Sequence, residues 1–419
     1  MCSARTLPKY SIGIGDRFGR QARAQLEACI LAARSGVDII PVWNKSHREH
    51  TILGSKPADT RRAAAQAVEL LGWHKPYFVD ADHIKFSTVA GYLDSCDFFT
   101  IDVADQIGKP LDESAIEAFV KGHSELLGEI QIPGVNERFH VDRDCLQNVA
   151  NRYLSAVREA GRIYRLIESK KGKANFITEL SIDETESPQT GVELLIVLAA
   201  VSDEEIPIQT ISPKFTGRFN KGVDYSGHLD EFTREFSEAV AVIAFAIQQY
   251  GLPANLKLSI HSGSDKFSLY PHMRQVMQKF DAGVHLKTAG TTWLEELLSL
   301  AESGGEGLQF VKALYAEAYS HCEELCGPYA AVVDIDPRNL PAPAEVNGWA
   351  SGQFVAAGRH EPSNPAYNMH FRQLLHVAFK IAANNIARYF AFIDNQRTLI
   401  DRNVTTNLFE RHIKPLFLR

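Results

Sequence analysis

Short apolar runs of strand length recur along the chain at 9–14 (Y-S-I-G-I-G), 37–43 (V-D-I-I-P-V-W), 77–82 (Y-F-V-D-A-D) and 97–102 (D-F-F-T-I-D). Four more follow at 175–183 (N-F-I-T-E-L-S-I-D), 206–211 (I-P-I-Q-T-I), 255–261 (N-L-K-L-S-I-H) and 283–287 (G-V-H-L-K). Between most of them the apolar period changes from two to about 3.6, so that 21–35, 60–71, 146–169 and 229–250 read as amphipathic helices. Eight strand–helix units in this order predict an α/β protein of the (β/α)8 TIM-barrel type, its core at about 8–300. Beyond residue 292 the pattern is mainly helical, with an irregular Pro/Gly/Asn-rich stretch at 336–365 and final helices at 367–392 and 405–417. The C-terminal part, about 305–419, reads as helices added to the barrel within one domain.

Composition narrows the class. At 419 residues, 45% hydrophobic and 23% charged, the chain is an ordinary globular one, long enough for a full barrel core. The net charge of -7, with lysines and arginines scattered, argues against a nucleic-acid partner. Six cysteines without zinc-ribbon spacing read as free thiols, Cys322 and Cys326 being buried ones on a helix, as expected of a reducing cytoplasm. The N-terminus has no signal-type apolar region and no run reaches the roughly 18 residues of a membrane span. A cytoplasmic enzyme is expected, with a homo-oligomer left open.

In a barrel, chemistry sits at the C-terminal strand ends. The most informative one is L-K-L-S-I-H-S-G-S-D-K-F-S-L-Y-P, 256–271, where the strand stops at His261 and two hydroxyls, a glycine and the oppositely charged Asp265 and Lys266 follow. The first strand ends in G-I-G-D-R-F-G, whose glycine spacing departs from the dinucleotide fingerprint, and the second strand lacks the acidic residue that would hold a ribose. This loop instead aims Asp16 and Arg17 at the barrel mouth, Arg17 as a candidate for a substrate carboxylate or a partner for Asp16. The third strand places Asp80 and Asp82 on one face and turns at His83, a base beside an imidazole, or else a helix cap and an exposed ring.

In the fifth strand, period two turns Glu179, Ser181 and Asp183 to the barrel axis. A carboxylate buried there is costly, so Glu179 should be paired, metal-bound or catalytic. The loop after the sixth strand, K-F-T-G-R-F-N-K-G at 214–222, is basic and carries Asn220; it reads equally as an exposed basic loop. The eighth strand puts His285 and Lys287 on one face, and Lys266 and Lys287 from adjacent strands suit an acidic sugar. Arg17, Asp265, Lys266 and Lys287 are therefore the expected substrate-binding residues. His83, His261 and His285, with carboxylates near by, form a candidate site for a divalent cation: zinc, manganese, nickel or iron.

D-A-D-H-I-K, F-T-I-D, E-L-S-I-D-E-T-E-S-P, L-S-I-H-S-G-S-D-K-F-S-L-Y-P, G-V-H-L-K-T-A-G-T-T-W-L-E and R-Q-L-L-H-V resemble, in order from Gly13 to His376, the motifs of the tagaturonate epimerase family. The resemblance implies a metal-dependent epimerase that interconverts D-tagaturonate and D-fructuronate in hexuronate breakdown. It implies Asp82 as proton acceptor, Glu179 as proton donor, and His83 and His261 as metal ligands. A third ligand falls near Asn220 by the resemblance, whereas the residue pattern favours His285. The segment before the G-D-R motif is shorter here than in the family.

In this conversion the inverted carbon lies one bond beyond the position next to the ketone, so its C–H is not acidic. The expected route is retro-aldol cleavage and re-addition, for which Asp82 and Glu179, from different strands, are the acid/base pair. The alternatives are a metal-dependent class II aldolase or a neutral ketose 4-epimerase, and, outside catalysis, a protein that only binds a sugar acid.

Overall fold

The structure is a computed structural model that describes residues 5–288 and 290–418. Among the described residues ten strands occur in chain order: β1 (Tyr10–Gly15), β2 (Ile40–Ser46), β3 (Phe78–Ile84), β4 (Phe98–Asp102), β5 (Gly128–Ile130), β6 (Phe139–Val141), β7 (Ile177–Ser181), β8 (Thr210–Ser212), β9 (Lys257–Ile260) and β10 (Val284–Thr288). Eight of them close into a parallel barrel in the order β1-β10-β9-β8-β7-β4-β3-β2, the (β/α)8 architecture that the alternation predicts. β5 and β6 form a separate antiparallel hairpin, too short to stand out in the hydrophobic pattern.

Alternation explains the layering. In β7, Leu180 packs into the core between barrel and helices, while Glu179 and Ser181 turn inward. In β10 the inward pair is His285 and Lys287, level with Ser11 and Gly13 of β1. Gly13 is required there, because a Cβ would stand 2.9 Å from Lys287 Cγ and 3.2 Å from His285 Nε2. The glycine leaves Lys287 room to cross the barrel interior.

The predicted sixth strand at 206–211 is displaced to Thr210–Ser212; Ile206 and Ile208 are buried but lie in the approach to it. After the barrel, helices from Thr291 onward enclose a second apolar core around Trp293, Tyr315, Phe371 and Tyr389, into which Phe18 and Ala24 of the barrel also pack. The helix expected at 367–392 is three: Met369–Val377, Phe379–Asn384 and Ile386–Asn395, with Asn385 at the second break. The irregular 336–365 stretch includes the short helices Pro343–Gly348 and Ser351–Gly358, the first with proline at its start. Cys322 and Cys326 are free and half-buried rather than buried; Cys2 and Ala289 lie outside the described residues. Among the described residues no helix is long and apolar enough to cross a membrane.

Candidate active site

Lys287 is the hub of the barrel mouth. Its Nζ stands 2.8 Å from Asp80 Oδ2, 2.8 Å from Asp82 Oδ1 and 3.0 Å from Glu179 Oε1, and it also donates to Thr100 Oγ1. Thr100 Oγ1 in turn lies 3.0 Å from Asp80 and 3.1 Å from Glu179, and Thr210 donates to the other Glu179 oxygen at 2.7 Å. Three carboxylates from β3 and β7 thus converge on one ammonium across the closed barrel, all of them buried. Burial pushes these acids up, but Lys287 and the histidines hold Asp82 and Glu179 well below their ordinary range. Asp80 goes the other way, raised to about 6 by burial and by the charges of Asp82 and Glu179 despite Lys287. It is the carboxyl of the set that holds a proton most readily.

The strand β3 reaches this point with a fault in its pairing. Its register against β4 slips between Ala81 and Ile84, and His83 adopts a left-handed φ of 52°. A bulge with a non-glycine residue in that conformation is a local cost found next to functional sites. The slip brings the His83 ring, which strict alternation would turn outward, to 5.0 Å from the His261 ring, with Nε2 4.0 Å from Asp82. His261 Nε2 shares a 2.8 Å hydrogen bond with Glu179 Oε1. Its Nδ1 is 3.0 Å from Asp183 Oδ1 but lacks hydrogen-bond geometry, so it is a buried nitrogen without a hydrogen-bond partner, as is Nδ1 of His83. Burial opposes a charge on His261, yet Asp183 and Glu179 outweigh it and lift the ring to about 10.

His285 sits one layer deeper. Its Nδ1 is 2.9 Å from Ser11 Oγ and its ring packs on Phe98, and burial holds it neutral, down to about 3. It lies two residues before Lys287 on the same strand face, one layer of about 6.6 Å deeper along the strand. The periodic reading found its face but not its depth.

The loop residues expected to grip the substrate have other partners. Lys266 Nζ is buried and donates to the carbonyls of Asn220, Val223 and Ser264 at 2.8, 2.6 and 3.0 Å. Asp265 is buried against Arg372 Nη2 at 3.3 Å, and Arg17 bonds the carbonyl and ring of His376 at 2.8 and 2.9 Å while pairing with Glu49 at 3.3 Å. Asp16, offered as Arg17's partner, instead accepts from the backbone of Gly19 and Gln21. Asp265 and Arg17 turn inward to residues of the helix Met369–Val377, far along the chain, and Lys266 to carbonyls of neighbouring strand-end loops, which no local pattern announces. Asn220 contributes its backbone carbonyl to Lys266. Two site residues stand beside the expected set: Asp80, equivalent to Asp82 by period two, and Asp183, whose inward face the same period marks.

The donor chemistry fits a borderline divalent cation: two imidazoles with carboxylates around them, and an Nδ1 without a hydrogen-bond partner on each ring. A ligating imidazole holds its other N–H on a carboxylate, as His261 does on Glu179. Asp80, Asp82, Asp183 and Glu179 face two cations, Lys287 and protonated His261, so the pocket has negative charge to spare. The cage is not closed: among the described residues no group of three or more His, Cys, Asp or Glu is spaced to hold an ion.

The sequence profile of the tagaturonate epimerase family matches residues 2–414. A tagaturonate/fructuronate epimerase of Thermotoga maritima is 26% identical over 426 residues, a match that covers 97% of this chain and 81% of that relative. A glycerol-bound crystal structure of fructuronate-tagaturonate epimerase from Cohnella laeviribosi shares the fold with a TM-score of 0.81 at 23% identity, over 99% of this chain and 82% of that one. The native crystal structure of the same enzyme gives 0.79 at 24% identity, over the same 99% and 82%. With a match spanning nearly its whole length, the chain belongs to the tagaturonate epimerase family.

Proposed function

We propose that this enzyme interconverts D-tagaturonate and D-fructuronate by breaking and remaking a carbon–carbon bond. The observation that carries the mechanism is the bridge from Asp82 through Lys287 to Glu179, 2.8 and 3.0 Å long, inside a buried pocket at the strand ends. Asp82, ionised at neutral pH, takes the proton of the hydroxyl on the carbon to be inverted. The bond to the neighbouring carbon then breaks, leaving an aldehyde and an enediolate; the aldehyde turns over, the bond reforms, and the new alkoxide needs a proton from the opposite side. Glu179 faces that demand as an ionised group, so it must first receive a proton. Lys287 touches both carboxylates and provides a hydrogen-bonded route between them, while Asp80 is the reserve carboxyl able to carry a proton near pH 6.

A divalent cation held by His83 and His261, with Asp183 near by, would stabilise the negative charge that develops on the ketone side. The carboxylates that now keep a second proton on His261 are those that would favour a cation beside it, and binding there would release that proton. An NMR assay on both uronates in deuterated water tests the reading. Turnover without deuterium at the inverted carbon is expected; deuterium at that carbon would sink the cleavage route, and accumulation of the two fragments would mark an aldolase instead. Asp82→Asn should lose about 10²–10⁴ in turnover while keeping its fold and metal content, the range of a removed general base.

A further inference from the structure

A sugar-acid substrate brings a carboxylate into a pocket that already has excess negative charge, and something must hold it. The lysines of the strand ends are nearly all engaged. Lys287 serves three carboxylates and Lys266 three carbonyls, Lys45 donates to the Arg17 carbonyl at 2.6 Å, Lys85 pairs with Asp105, and Lys214 is tied to the Thr185 carbonyl. Arg17 is spent on His376 and Glu49.

Lys221 is different. It lies half-buried in the loop after β8, with its backbone pinned on both sides: its N–H donates to the Val332 carbonyl at 2.7 Å and its carbonyl accepts from Gln373 Nε2 at 3.2 Å. The side chain reaches back to Ser262, the residue after His261, and donates to its hydroxyl at 2.7 Å. An ammonium carries three donors, so this neutral contact leaves two for a ligand. Ser262 has a left-handed φ of 51°, a strained conformation in a non-glycine residue, which holds its hydroxyl at the rim beside His261. Burial lowers Lys221 from its ordinary value, opposed by the carboxylates of the site itself, Asp183, Glu184 and Asp82, with Arg17 also near by. A backbone-anchored cation with a hydroxyl alongside, facing acidic groups without a direct ion pair to any of them, has the makings of a carboxylate clamp.

We propose that Lys221, with the Ser262 hydroxyl, binds the carboxylate of the sugar-acid substrate and selects it over the corresponding neutral ketose. The assignment rests on the uronate reading of the active site. Two measurements separate them: turnover of D-tagaturonate by the unaltered enzyme, and the affinity of the unaltered enzyme and Lys221→Met for D-fructuronate against D-fructose by calorimetry. The unaltered enzyme should prefer the acid, and Lys221→Met should lose about 10–100-fold in affinity for it while D-fructose binding stays unchanged, as for one charge-assisted contact removed. In turnover the loss should appear in KM, with kcat within a few-fold; Lys221→Arg should recover most of it, and Ser262→Ala should raise KM by about five- to tenfold. An acid preference that survives in Lys221→Met, or a fall in kcat with KM untouched, overturns the clamp, the latter marking a residue that only positions His261. Absence of uronate turnover in the unaltered enzyme sinks the epimerase reading, and the binding comparison still decides the clamp.

Discussion

Two buried charge clusters lie on either side of the loop after β9, and they have opposite character. Around Lys287, three carboxylates share one ammonium, His261 lies between Glu179 and Asp183, and negative charge is in excess. Around Asp265, Arg372 faces its carboxylate at 3.3 Å and gives its other donors to the carbonyls of Gly222 and Gly358, the second at 2.7 Å. Thr291 donates to Asp265 at 3.2 Å, and the Asp265 amide donates to His412 Nε2 at 3.0 Å. Arg372, His412 and His360, whose Nδ1 is 3.6 Å from Asp265 Oδ1, all come from the C-terminal helical part, so this second cluster fastens that part to the barrel. A charge matched by one partner and by carbonyls is architecture, whereas a charge left over at a strand end is available for substrate or cation.

Removing the centre of the first cluster should give the largest effect. Lys287→Met leaves Asp82 and Glu179 buried without their cation, and turnover should fall by about 10³ or more, with stability reduced by about 3–5 kcal/mol. Because the stranded carboxyls can take protons, that stability loss should be smaller at pH 5 than at pH 8 in thermal unfolding; a uniform loss would mean that the cluster does not share its charge as described.

In the second cluster, Arg372→Met should cost a similar 3–5 kcal/mol, since Asp265 would be left as an unpaired buried charge. The two clusters part in turnover: at a temperature where the variant is folded, Arg372→Met should keep kcat within about tenfold. A loss as deep as that of Lys287→Met would abolish the distinction drawn between them.

The smallest effect should come from an isolated acid away from both. Glu296 is buried on a helix of the second core, with Tyr389 donating to it at 2.6 Å and Gln21 at 2.9 Å, and burial together with Asp16 lifts it from 4.5 to about 8. A carboxyl raised on folding contributes fully below its unfolded value and loses that contribution as pH rises through its folded one. Glu296→Gln should therefore match the unaltered protein within about 1 kcal/mol at pH 5 and exceed it by about 2–4 kcal/mol at pH 8. Equal pH profiles of denaturant unfolding for the two proteins would show that Glu296 is ionised in the fold.

The hydrophobic alternation alone determined the eight barrel strands, the sixth with displaced bounds, their order between helices, the inward face of Glu179 and the shared faces of Asp80 with Asp82 and of His285 with Lys287, because both periods are local properties of the backbone. It also marked His83 and His261 at strand ends. It missed the short hairpin β5–β6, whose three-residue strands carry too few positions to show a period, and it placed His285 on the right face at the wrong depth. Only the tertiary structure decided which cation is bound to what. Lys287 meets Asp80 across 207 positions of sequence, and Arg372 meets Asp265 across 107. Lys266, Arg17 and Asp265 look free in the sequence and are consumed by carbonyls and by helices that fold over the mouth, whereas Lys221, one basic residue of a basic loop, keeps donors to spare. A residue's face follows from its neighbours along the chain; its partner follows from closure of the barrel, which brings together side chains whose charges no local pattern can pair.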